Sequence, residues 1–188
     1  MPSLVSGTSS EFMGKKPLPR SIRDRTMVFI LGPSGVGKSS VAEVLSGKSA
    51  ITQSESEVLD AINHQARNRK WDARLINAPA LVIECPCFLD RRPAALEGLK
   101  DLLRRRAGGR RRTWVIEAAS GTSMETLMGS VHPGYRATLV LRFPVGRGRL
   151  RFAKRICTDL GLDTEHAVTT VDIEPWTYQL VRDALQST

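Results

Sequence analysis

Gly32-Pro33-Ser34-Gly35-Val36-Gly37-Lys38-Ser39, followed at once by Ser40, decides how the rest of this 188-residue chain is read. The stretch satisfies the pattern G-x-x-x-x-G-K-[ST]. An apolar run, Met27-Val28-Phe29-Ile30-Leu31, precedes it; a helical pattern over about 38–45 follows, with Gly47 placed to stop it. The residue types suit one chemical task. Gly32, Gly35 and Gly37 let the backbone curl until successive N–H groups point inward at phosphate oxygens. The positive end of the following helix adds to that field. Lys38 is expected to reach β- and γ-phosphates and the Ser39 hydroxyl to ligate Mg²⁺. Residues 32–40, with Pro33, Ser34, Val36 and Ser40 among them, form the expected nucleotide-binding segment.

Short apolar runs alternate with amphipathic helices on either side of this loop. Leu81-Val82-Ile83-Glu84-Cys85, Trp114-Val115-Ile116-Glu117 and the run 138–143 read as strands, with a weaker one near 168–171. Ser54 and Glu57 have capping-box spacing before a helix carrying Val58, Leu59 and Ile62. Pro93 opens a helix with Leu96, Leu99, Leu102 and Leu103 on one face, ended by Gly108-Gly109. Further helices are predicted around 124–128, over about 147–160 and from Pro175 to about 185. Strands apolar throughout, separated by helices, imply a parallel sheet covered on both faces, a three-layer α/β/α sandwich. Residues 1–12 read as a vector-derived leader, set aside from the fold; 13–25 as a flexible basic arm; 26–188 as the domain.

Composition narrows the classes. Hydrophobic residues are 41% and charged residues 25%, enough for a real core. No run approaches eighteen uninterrupted apolar residues, so no membrane span is expected, and no secretory signal opens the chain. Three cysteines fit a reducing cytoplasm better than a disulfide scaffold. Cys85 and Cys87 have no matching Cys/His pair at zinc spacing and read as thiols. Net charge is +9, carried by 21 Arg against 7 Lys. That bias favours bidentate contact with phosphate or carboxylate, or it reflects a solvated surface encoded by a GC-rich genome.

On residues 27–45 the chain resembles P-loop NTPases, and the wording GPSGVGKSS is most similar to guanylate-kinase-type loops. The order of elements beyond the loop resembles the nucleotide and small-molecule kinase branch. The resemblance implies a five-stranded parallel sheet of order 2-3-1-4-5 with a helical lid, ATP or another NTP with Mg²⁺, and γ-phosphoryl transfer to a small acceptor, such as a nucleotide, nucleoside or other metabolite. An Asn-Lys-x-Asp motif is absent, which sets signalling GTPases aside. Leu45-Ser46-Gly47-Lys48-Ser49 reads as a helix end rather than an ABC-type signature. The chain stops short of the extra helical domain of AAA+ machines.

Two acidic strand ends, Glu84 and Glu117, compete for the metal-side role, because ligands of open α/β sheets bind beyond the carboxyl ends of strands. By resemblance to small kinases Glu84 is the Walker-B-like candidate, with Arg91 and Arg92 at the acceptor's phosphate, Asp90 as an alternative acceptor-orienting group and Glu117 also acceptor-facing. The helix after Pro144 carries Arg147, Arg151 and Arg155 beside the stripe Leu150, Ala153, Cys157 and Leu160, with Gly146 and Gly148 as a hinge. In small kinases such a lid donates arginines to the transferring phosphoryl group, so Arg147 and Arg151 are the catalytic candidates beside Lys38 and Glu84. The segment 169–175 resembles the loop that borders the nucleotide base.

Arg104-Arg105-Arg106 and Arg110-Arg111-Arg112 place six arginines within nine residues, at a helix end opposite the phosphate loop. They read either as favourable partners of the helix dipole or as a patch for an anion, nucleic acid or protein. Aromatic residues are 5% of the chain and none interleaves with this run. Three functions follow: the small-acceptor kinase, a non-kinase ATP-binding switch or accessory ATPase whose basic edge docks a macromolecule, and a polynucleotide kinase.

Overall fold

The apolar runs pair into one sheet because each carries its side chains to two buried faces. Met27 and Phe29 pack in one core with Leu81, Ile83 and Val115, while Val28 and Ile30 pack in the other with Val82, Trp114 and Ile116. The alternation is the period of two of a strand, and full burial of such a side chain is worth about 1.5–3 kcal/mol. The computed structural model describes residues 3–8, 12, 19–84, 92–116, 121–144 and 147–163. In chain order the strands are β1 (Ser3–Gly7), β2 (Met27–Leu31), β3 (Ile51–Gln53), β4 (Ala80–Ile83), β5 (Arg112–Ile116) and β6 (Arg136–Leu141). The helices are α1 (Arg20–Arg23), α2 (Lys38–Ser46), α3 (Glu55–Asn68), α4 (Ala73–Asn77), α5 (Pro93–Gly108), α6 (Gly121–Gly129) and α7 (Arg147–Leu160).

The sheet has six strands in the order β1-β6-β2-β5-β4-β3, and every pair is parallel. The three-layer arrangement stands: α3, α4, α5 and α6 contribute to one core, α1 and α2 to the other. The five-stranded order 2-3-1-4-5 does not. Ile51–Gln53 is a sixth strand too short and too polar to show in a hydrophobic pattern, and it caps the edge beyond β4. At the other edge Ser3–Gly7 runs along β6, pairing Ser3 with Ala137 through Gly7 with Leu141. Residues 3–7 of the segment set aside as a leader thus lie within the sheet. An outer β6 edge leaves a row of backbone donors and acceptors that a five-residue strand satisfies without any need for apolar side chains, and Leu4 is indeed 70% exposed. The arm 13–25 also ends in structure, since Ile22 of α1 is 1% exposed. The weak strand near 168–171, the last helix and the 169–175 loop lie outside the described residues.

Helix boundaries follow local chemistry. Glu57 accepts from the Ser54 N–H at 2.8 Å and its hydroxyl at 2.7 Å, closing the capping box of α3 and holding its carboxyl below the usual range. Pro93 begins α5, and Gly109 ends it. Gly98 lets α5 approach α3: a Cβ there would stand 2.5 Å from Ile62 Cγ2.

Candidate nucleotide-binding site

The loop joining β2 to α2 has the conformation its glycines permit. Gly32, Gly35 and Gly37 have φ of 146°, 74° and 89°, values that side chains with a Cβ rarely adopt. Gly32 also has no room for one, since a Cβ would stand 2.6 Å from the Leu141 carbonyl oxygen of β6. Val36, 2% exposed, anchors the loop in the core shared by Val28 and Ile30. Gly37 is the N-cap of α2, and its carbonyl accepts from Val41 N–H at 3.0 Å, so the first-turn amides of α2 open toward the loop.

Lys38 bends back over this loop. Its ammonium donates to the Gly32 carbonyl at 2.5 Å and the Pro33 carbonyl at 3.1 Å. The cation is thus held above the curled backbone, where a phosphate tail would lie. Ser34 and Ser39 are exposed, and Ser40 is half-buried. Ser39 stands in the first turn of α2, one residue after Lys38.

The sequence candidates distribute unevenly around this centre. Glu84 directly follows β4, half-buried, with its N–H donating to the Gln53 carbonyl at 2.9 Å. It lies at the carboxyl end of the sheet, as expected, but β5 separates β4 from β2, a lateral offset of about 10 Å at two strand spacings. Ile116, the last residue of β5, pairs with Ile30; Glu117 itself, with Asp90 and Arg91, lies outside the described residues. Arg92 is exposed at the N-cap of α5. Arg147 and Arg151 are exposed on the first half of α7, which begins shortly after β6 leaves the sheet at the P-loop end. Arg142 is exposed, its N–H donating to the Gly7 carbonyl at 2.9 Å.

A groove of about 890 Å³ lies elsewhere, between β3, α3 and α4, with Gln53, Asp60, His64 and Trp71 in its wall. None of the acceptor candidates among the described residues lines it, and β3 is three strands from β2. Among the described residues no group of three or more His, Cys, Asp or Glu is placed to hold a metal ion, and no helix is long and apolar enough to cross a membrane. Cys157 is buried and free, and burial pushes its thiol up.

The arginine run is not one patch. Arg106 is fully buried and donates to Thr113 Oγ1 at 2.8 Å and to the carbonyls of Ile76 at 3.2 Å, Ala78 at 3.1 Å, Arg112 at 2.6 Å and Leu75. Burial, with a smaller contribution from Arg111, pushes its guanidinium down to about 10. Arg105 pairs with Asp101 at 2.8 Å. Arg104, Arg110, Arg111 and Arg112 remain exposed. Reading all six as a solvated or docking face missed that one of them is a structural cross-link between α4, α5 and β5. Its position among the apolar residues of α5, beside Leu102 and Leu103, was the available signal.

No family model and no curated protein matches the chain. Solved structures do share its fold. The AMPPCP-bound DnaA of Aquifex aeolicus is 12% identical over 85% of this chain and 54% of its own, at a TM-score of 0.65. A replication initiator DnaA bound to AMPPCP and single-stranded DNA gives 11%, 86%, 54% and 0.67. The Walker-type ATPase of Pyrococcus abyssi gives 13%, 80%, 59% and 0.53. The chain spans somewhat over half the length of these structures. The loop, the parallel sheet and these neighbours together show that the chain has a P-loop NTPase fold.

Proposed function

We propose that this chain is an ATP-binding P-loop module of the ATPase type, a nucleotide-controlled switch, rather than a small-acceptor kinase. The observation that carries the reading is the loop of positive-φ glycines with Lys38 held over it at the N-terminus of α2. Its amides, the helix end and the ammonium all present positive charge to one point, the requirement for a triphosphate tail. ATPase neighbours solved with AMPPCP favour ATP as the nucleotide and hydrolysis over transfer. Ser39 and Glu84 fit Mg²⁺ in kind, both being hard oxygen donors on the same rim. Mg²⁺, when bound, neutralises phosphate charge; Lys38 stabilises the negative charge that develops on the γ-phosphoryl oxygens, and Glu84 orients water.

Calorimetry with ATP and Mg²⁺ should show binding that Lys38→Ala weakens at least tenfold. Purified protein should release ADP slowly without any acceptor, Glu84→Gln should slow it with binding retained, and Arg151→Ala should change it by less than about tenfold, since a transition-state arginine is worth 10³ or more. Stimulation by a nucleoside, nucleotide or oligonucleotide 5′-end would restore a kinase reading in its place. A second element of the proposal is a macromolecular partner instead of a small acceptor. It is favoured by the exposed arginines opposite the loop and by the neighbour whose structure includes single-stranded DNA.

A further inference from the structure

In a parallel sheet all strands start at one end, and here that end gathers residues far apart in the sequence. Met27 of β2 is in register with Arg136 of β6 and with Thr113 of β5. Tyr135 and Arg112 therefore flank Thr26 across the base of the sheet, about 10 Å apart at two strand spacings. Hydrogen bonds fix the row. The Tyr135 carbonyl accepts from Thr26 N–H at 3.1 Å and Met27 N–H at 2.9 Å, Thr113 N–H donates to the Thr26 carbonyl at 2.7 Å, and Arg112 Nη2 donates to the Arg23 carbonyl at 3.1 Å.

The turn bearing Arg110, Arg111 and Arg112 is equally fixed. Arg110 has φ of 53°, its N–H donates to the Ala107 carbonyl at 3.0 Å, and Arg111 N–H donates to the Arg106 carbonyl at 2.9 Å. Buried Arg106 holds the Arg112 carbonyl from below at 2.6 Å. Three exposed guanidiniums are thus presented on a rigid turn, with Arg23 beside them. Asp24, largely exposed, lies 3.5 Å from Arg23 in this row. Gathering like charges on a rigid turn, above a buried cation, costs stability and calls for a function. Tyr135 completes the surface: it is 42% exposed, with the His132 ring edge-on at 6.0 Å. The aromatic residue that the arginine run lacks in sequence is supplied from the turn before β6, two strand spacings away across β2.

We infer that this pole, at the opposite end of the sheet from the P-loop, is a docking surface for single-stranded nucleic acid, with Arg23, Arg110, Arg111 and Arg112 on phosphates and Tyr135 stacking on a base. Arginine forks match phosphate bidentately, and an exposed ring next to them adds a face that every base can use. An acidic polypeptide uses the charges but gains nothing from the ring. The inference deepens the macromolecular-partner element of the proposed function and does not need the nucleotide site.

Fluorescence anisotropy with a labelled twenty-residue oligothymidylate tests it. The full chain should bind with an affinity that falls steeply with salt. Arg110→Ala/Arg111→Ala should weaken binding at least tenfold and flatten the log–log salt slope by about 1.4, the loss of two phosphate contacts. Tyr135→Ala should weaken it about tenfold with the slope unchanged. Lys38→Ala should bind oligonucleotide as the parent does. No binding at low salt, indifference to the Tyr135 change, or equal competition by polyglutamate would overturn the inference, the last pointing to an acidic protein. Loss of binding in Lys38→Ala would place the strand on the P-loop and also overturn it. Failure of the parent to bind ATP would remove the nucleotide reading while leaving this one standing.

Discussion

Replacing Arg106 by methionine separates a structural cross-link from a surface charge. Methionine approximates the aliphatic stem of the side chain and removes the cost of keeping a guanidinium out of water, an effective several kcal/mol. Against that, four backbone carbonyls, those of Leu75, Ile76, Ala78 and Arg112, lose their donor together with Thr113 Oγ1. A buried polar group left without a partner costs about 1–3 kcal/mol. Four of them at the lower end already match the recovered desolvation, and the middle of the range exceeds it. Net destabilisation of about 2–5 kcal/mol follows, in the class of broken buried networks. Urea unfolding followed by circular dichroism reads it as a lowered midpoint at unchanged slope. Arg106→Lys keeps the charge without the fork and should fall between. Limited trypsin digestion gives an independent readout, with faster cleavage after Arg110 or Arg111 as the turn loosens. A midpoint shift equivalent to less than about 0.5 kcal/mol would refute the reasoning and return Arg106 to the solvated face.

Gly32→Ala should destabilise the fold by about 1–3 kcal/mol and weaken ATP binding, because the new Cβ meets a backbone oxygen of β6, a strand paired on both sides, at a φ that alanine avoids; an unchanged thermal midpoint would contradict this. Gly98→Ala gains about 1 kcal/mol of helix propensity but overpacks the stiff, β-branched Ile62 at a cost of about 1–3 kcal/mol. Net loss is expected, and adding Ile62→Ala should abolish the overpacking penalty in a double-mutant cycle. Burial raises the Asp101 carboxyl, but bonds from Trp71 Nε1 at 2.7 Å and Arg105 Nε at 2.8 Å, with the nearby guanidiniums, bring it below its usual range. A depressed carboxylate stabilises the fold above its unfolded pKa, and the contribution is lost as pH falls through the folded one. Asp101→Asn should therefore cost about 1 kcal/mol at pH 7, discounted for its partial exposure, with the gap from the parent closing in acid. A gap constant with pH would show that the charge is not responsible.

The sequence by itself determined whatever depends on residue type along a short stretch. Three positive-φ positions before a lysine and a serine can serve few purposes, so the P-loop, its flanking strand and α2 were legible, as were the capping box of α3 and the Pro93 start of α5. Long apolar strands announced a parallel sheet covered on both faces. Tertiary structure decided everything that depends on which segments become neighbours. Strands β1 and β3 bury little and are held mainly by backbone hydrogen bonds along a partner's edge, a force common to all residue types and silent in a hydrophobicity pattern. Those two edge additions made the sheet six-stranded, while β5, lying between β4 and β2, set Glu84 apart from the loop. Arg106 and Arg111 are the same amino acid in one basic run. Only the convergence of α4, α5 and β5 made one a buried fork bonded to carbonyls and left the other exposed, at the same end of the sheet as a tyrosine twenty-four residues on.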